Sequence, residues 1–96
     1  MSASVMRSVA GQELGRIKRD VVRDVRKAMQ RKQVNQALLA RRIRTSRSAV
    51  ARLLKAEDRS MTLRLLGRIA VALDARVRMQ LAGRRPAAGR RRKLDA

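Results

Sequence analysis

Residues 36–54 read QALLARRIRTSRSAVARLL, and their pattern decides the fold. Asn35 precedes them, and its short acceptor side chain suits a helix N-cap. Leu39, Ala40 and Ile43 then share one helical face, which predicts a short helix from Gln36 to about Arg42. Arg44-Thr45-Ser46 supplies a turn. Ser46 is a second N-cap, ahead of a helix over 47–54 with Val50, Leu53 and Leu54 facing inward. Ala40 is small, so the two helices can cross closely. Val50 lies about one turn into the second helix and docks it on the core. Arg47 and Ser48 fall in the first turn and Arg52 one turn on, all three pointing outward. A helix that opens with exposed polar and basic side chains can enter the major groove of DNA.

The flanks extend this pattern. Leu14, Ile17, Val21, Val25, Ala28 and Met29 recur at helical spacing, predicting a long first helix, roughly 12–32, with that stripe in the core. Arg16, Lys18, Arg19, Arg23, Arg26 and Lys27 form its basic outer face, read as solvated surface with a DNA contact as the alternative; Arg41 and Arg42 are read as solvated or phosphate-steering rather than base-reading. The spacings Asp20–Arg23 and Asp24–Lys27 predict i,i+3 ion pairs. Residues 1–11 are expected to be a flexible lead. Beyond the charged loop 55–60, Thr62 should cap a helix from Leu63 to Leu73, with Leu63, Leu66, Ile69, Ala70 and Leu73 inward. Residues 76–81, RVRMQL, alternate polar and apolar, as a strand does; a final helix is the competing reading. A lone strand needs a partner, and a second copy of the chain supplies one. The organisation is thus a lead over 1–11, a domain over 12–82 and a basic tail over 83–96. That tail, GRRPAAGRRRKLDA, has six basic residues and too few apolar ones to bury a core, so disorder is expected.

Composition bounds the function. Ninety-six residues allow one small domain with tails, burying only about 60–65% of its unfolded surface. Phe, Tyr and Trp are absent, so the core is aliphatic, which favours helices. Lys and Arg number 26 against 7 Asp and Glu, a net charge of +19, which draws the chain to polyanions. Cysteine is absent, removing disulfides and thiolate metal sites and fitting a cytoplasmic, nucleoid-associated protein. Histidine is absent too. With scattered carboxylates, this leaves no catalytic or metal constellation, so no enzyme, metal or cofactor is expected. No window is apolar enough to span a membrane, and the N-terminus lacks the long apolar core of a secretory signal.

Gln36, Leu39-Ala40, Thr45-Ser46-Arg47-Ser48-Ala49-Val50, Arg52-Leu53-Leu54 and Ser60-Met61-Thr62-Leu63 resemble the XRE, or lambda-repressor-like, helix-turn-helix family. Among its members they are most similar to small HigA-like antitoxins and transcriptional regulators. The resemblance covers residues 12–82 and implies an all-α bundle of four to five helices, with a short C-terminal strand at 76–81 as an addition. It implies base contacts from Arg47, Ser48 and Arg52; an ion pair of Arg52 with Glu57 or Asp58 is the alternative. It implies backbone contacts from Gln36, Ser46, Lys55, Arg59, Ser60 and Arg64. Arg44 stands where the family often has glycine. The function implied is a repressor bound as a homodimer to a two-fold-symmetric operator in double-stranded DNA. Two alternatives stay open. One is an antitoxin that also neutralises a RelE/HigB-type ribonuclease toxin and represses its own operon. The other is a nonspecific basic nucleic-acid binder, which charge alone would support.

Overall fold

The structure is a computed structural model and describes residues 2–55 and 61–83. Over these the chain is all-α, with α1 (Ala3–Lys32), α2 (Gln36–Arg42), α3 (Arg47–Leu53) and α4 (Leu63–Ala72). The last three agree with the predicted spans to within a residue, and each starts on its predicted cap. The Asn35 side chain accepts from the Leu38 amide at 2.8 Å, Ser46 from Ala49 at 3.1 Å and Thr62 from Leu65 at 3.1 Å. Each bond satisfies one of the four amides that a helix start leaves without an intrahelical partner.

Helix α1 departs from expectation at its start. Residues 3–11, expected as a flexible lead, are its first turns, capped by Ser2, whose Oγ accepts from the Val5 amide at 3.2 Å. Once a helix is nucleated, each further residue adds a hydrogen bond at little cost, so Gly11 and Gly15 do not stop it. The apolar stripe therefore runs further back, through Met6 and Ala10 to Leu14, Ile17 and Val21. Only the second half of α1 is buried, at Val22, Val25, Ala28 and Met29. Leu14 and Ile17, predicted as core, are 51% and 39% exposed. The reason is length. Thirty residues span about 45 Å, whereas the seven to ten of α2, α3 and α4 span about 10–15 Å. Nothing in those helices is long enough to lie beneath all of α1.

The core joins the second half of α1 to Val34, Leu39, Ala40, Ile43, Val50, Leu53, Leu54, Leu66, Ile69 and Leu73. Among the described residues no polar or charged side chain is buried. Leu63, also predicted inward, is 71% exposed; it opens α4 one turn before Leu66 dips into the core. Residues 76–81 form no strand. They follow α4 as irregular chain, because no neighbouring strand offers a ladder. The predicted loop beyond Lys55 and the tail from 84 on lie outside the described residues.

Ion pairs decorate α1. Arg16 bridges Glu13 at 2.5 Å and Asp20 at 2.7 Å, and Arg23 reaches Asp20 at 3.6 Å as predicted. Asp24 pairs with its neighbour Arg23 at 3.7 Å rather than with Lys27. The hydrogen bond and charge of Glu13, with Asp20 behind them, raise the Arg16 pKa further above its ordinary value.

Three helices end alike. After α1 the amides of Gln33 and Val34 donate to the carbonyls of Gln30 and Met29. After α2, Arg44 and Thr45 donate to Arg41 and Ala40. After α4, Asp74 and Ala75 donate to Val71 and Ala70. Each is the paired 5→2 and 6→1 closure of a Schellman motif, whose first residue past the helix must be left-handed. Those residues are Gln33, Arg44 and Asp74, with φ of 57°, 58° and 51°. Glycine usually fills that position, since a Cβ is strained there.

Candidate nucleic-acid interface

The candidate site is the pair α2 and α3 with the connection 43–46. The two helices pack against each other, and α2 also meets α4. Ala40 is 3% exposed and Val50 1%, so the small residue and the anchor stand in the core as predicted. The turn is held by the bonds from Arg44 to Arg41 and from Thr45 to Ala40, at 3.2 and 2.9 Å. Its left-handed residue is Arg44, the position at which the sequence lacks the usual glycine.

Two arginines pin this unit from outside. Arg68 of α4 donates through Nη2 to the Ile43 carbonyl, at the end of α2. Arg26 of α1 donates through Nη2 to the Leu54 carbonyl, 2.9 Å away, at the end of α3. A third, Arg42 of α2, donates through Nη1 to the Ala72 carbonyl at the end of α4, at 2.7 Å. All three place a cation on carbonyls that a helix C-terminus leaves without intrahelical partners, where the macrodipole also favours positive charge. Sequence reading had Arg26 and Arg42 on solvated surface and did not single out Arg68. The partners lie 25 to 30 residues away in the chain, so no local pattern could show them.

Helix α3 is therefore fixed at its start by Ser46, at its end by Arg26, and along one side by Val50, Leu53 and Leu54. Its other side is open. Arg47, Ser48 and Arg52 are all exposed. Ser48 and Arg52, four residues apart, share one face. Arg47 stands at the first position, about 100° around the helix from Ser48, so the expected trio is a pair with a flanking guanidinium. Gln36 is exposed at the first position of α2, Arg64 at the second of α4, and Lys55 just past α3. Ser46 is exposed, its Oγ already engaged as the cap. Arg59 and Ser60 lie outside the described residues, as do Glu57 and Asp58, the carboxylates weighed as partners for Arg52.

The electrostatics of this unit are one-sided. Residues 36–55 contain six basic residues and no carboxylate. Among the described residues, Arg47, Arg52, Lys55 and Arg64 enter no ion pair. The described carboxylates sit on α1 and at Asp74, where Lys32 approaches Asp74 at 3.7 Å. Among the described residues no cluster of three or more potential metal ligands occurs, and no helix is long and apolar enough to cross a membrane. Comparison with protein-family models, with curated proteins and with solved structures yields no significant match.

Proposed function

We propose that the chain is a sequence-specific DNA-binding regulator of the helix-turn-helix kind that reads the major groove with α3. The observation that carries this reading is the state of α3: anchored on one side and at both ends, it offers Arg47, Ser48 and Arg52 to solvent, and among the described residues neither arginine enters an ion pair. Guanidinium groups pair bidentately with guanine in the major groove, so a half-site containing G·C pairs follows. Ser46 and Lys55 at the two ends of α3, with Gln36 and Arg64 exposed in the first turns of α2 and α4, hold the backbone, with Arg59 and Ser60 assigned the same role from sequence. Backbone contacts of this kind set register without reading sequence.

The regulator acts as a dimer, with recognition helices about 34 Å, or roughly 10 bp, apart on a two-fold-symmetric operator. Support for a second copy comes from residues 76–81. Val77, Met79 and Leu81 are exposed on this irregular segment, and pairing with the same segment of another chain would cover them. Bound at a promoter, the dimer represses by blocking polymerase.

Selection of bound sequences from a random duplex pool tests the reading, followed by binding measurements across salt. The expected result is one recovered motif with two-fold symmetry. With about 6–10 phosphate contacts, affinity should fall by about 10³–10⁵ between 50 and 200 mM salt. Equal affinity for recovered and random duplexes would overturn specific recognition and leave the nonspecific binder in its place.

A further inference from the structure

We propose that the outer face of α1 and the end of α3 together form a second nucleic-acid contact, a cleft that binds backbone phosphates of one DNA strand beside the segment α3 reads. This rests on the DNA-binding reading above, and it goes beyond that reading by bringing α1 into the interface. The cleft is lined by Arg19, Arg23, Arg26, Lys27 and Gln30 of α1 and by Lys55 from just past α3. The five α1 residues recur at spacings of three, four and seven, so they share one face. Val22 and Leu54 lie at its floor, both buried.

Two observations turn this from a charged helix face into a site. First, Arg26 donates to the Leu54 carbonyl at 2.9 Å. That bond fixes α1 to the end of α3, so the α1 cations and Lys55 form one surface of defined geometry. A guanidinium has five N–H donors, so Arg26 keeps others for a ligand. Second, the cations outnumber their counter-charges. Arg23 is answered by Asp20 and Asp24 at 3.6 and 3.7 Å. Arg19, Lys27 and Lys55 have no ion pair among the described residues. Arg19–Arg23 and Arg23–Lys27 are like-charge i,i+4 pairs, which weaken a helix. A bound polyanion relieves that repulsion.

Dimensions point to a strand of phosphates rather than one small anion. Arg19 to Lys27 spans eight residues, about 12 Å of helix. That matches the axial length of three to four phosphates of one DNA strand at about 3.4 Å each. Gln30 adds a neutral donor at one end. An acidic protein surface is the rival occupant; DNA is favoured because Lys55 continues directly from α3, whose exposed face carries no carboxylate.

The test is the salt dependence of binding to a random-sequence duplex, read by fluorescence anisotropy over about 50–200 mM salt. The full chain carrying Arg19→Gln, Lys27→Gln and Lys55→Gln is compared with the unchanged chain. A control removes three charges elsewhere, by Arg31→Gln, Arg76→Gln and Arg78→Gln, all in the groove between α1 and the 75–81 segment. The slope of log K against log salt should fall by about 2–3 in the cleft variant, at about 0.9 per phosphate, and hold in the control. Arg19→Lys with Lys27→Arg, which keep the charge, should restore most of the slope. A slope unchanged in the cleft variant, or lowered equally in the control, overturns the cleft. Because the duplex is random, these outcomes do not depend on specificity. Loss of operator preference in the unchanged chain would overturn the regulator reading alone.

Discussion

Replacing Arg44 by glycine should make the protein more stable, although it deletes a side chain at the heart of the proposed interface. Arg44 closes α2 at φ 58°, a region where a Cβ costs about 1–2 kcal/mol. Glycine removes that strain but is freer in the unfolded chain, which returns about 0.4–1 kcal/mol. The net gain expected is roughly 0.5–1 kcal/mol. For a domain of 60–100 residues each kcal/mol moves the melting temperature by roughly 4–8 °C, so the midpoint should rise by about 2–8 °C. Far-UV circular dichroism on heating measures it. Arg44→Ala is the comparison that isolates the cause, since alanine loses the guanidinium yet keeps the Cβ, and it should not be stabilised. A glycine variant that melts no higher than the alanine variant would refute the reasoning, because the backbone strain would then be absent. Gln33→Gly should gain similarly at the end of α1. Asp74→Gly should gain less, because aspartate tolerates the left-handed region better and its exposed pairing with Lys32 is lost.

Three further outcomes follow from the same geometry. Arg47→Ala should cost about 1–3 kcal/mol on the selected operator and relax one base position, whereas Lys55→Ala should weaken operator and random duplex alike; competition binding separates the two. Leu39→Ala removes a side chain that is 0% exposed and should cost about 2–5 kcal/mol in urea unfolding. Val77→Asp with Met79→Asp alters side chains that are 45% and 61% exposed, so the fold should persist. In sedimentation velocity this variant should run as a monomer where the unchanged chain dimerises, and a variant that stays dimeric would exclude the 76–81 segment as the contact.

Local rules carried much of the fold. Asn35, Ser46 and Thr62 cap the helices they were expected to cap, because an N-cap depends on a few neighbouring residues and little else. The inward faces of α2 and α3 came from the same short-range periodicity. Two of the errors share a physical origin in tertiary context. Leu14 and Ile17 have the spacing of core residues, yet burial requires a partner, and the other helices are too short to cover them. Residues 76–81 have the alternation of a strand, yet a strand requires another strand. Val34, between the helices and not singled out by any periodicity, is 5% exposed, because the left-handed Gln33 turns the chain back onto the core. At the candidate site, exposure of Arg47, Ser48 and Arg52 was legible. The arginines that hold the unit in place were not, since a carbonyl at a helix end has no signature in the residue that supplies it.

That division among the arginines explains how so basic a chain can fold at all. Self-repulsion at +19 opposes compaction, and 7 carboxylates cannot neutralise 26 cations. Part of the excess is put to structural use. Arg26, Arg42 and Arg68 sit on helix-end carbonyls, where a positive charge meets the negative end of a dipole, and Arg16 and Arg23 gather the carboxylates of α1. What these contacts take up lies mostly on α1 and α4 or at helix ends. What they leave over includes Arg47, Arg52, Lys55, Arg19 and Lys27, on α3 and on the α1 face fastened to its end. The internal pairing of charge thus sorts the surface. Among the described residues, three of the four carboxylates lie on α1, and the cations without an ion pair include those on and just past α3. A polyanion bound there would bind the folded chain better than the unfolded one, since only folding brings Lys55 beside Lys27, and binding would therefore add to stability. The same arrangement that lets the domain tolerate its charge also leaves cations exposed at the proposed interface.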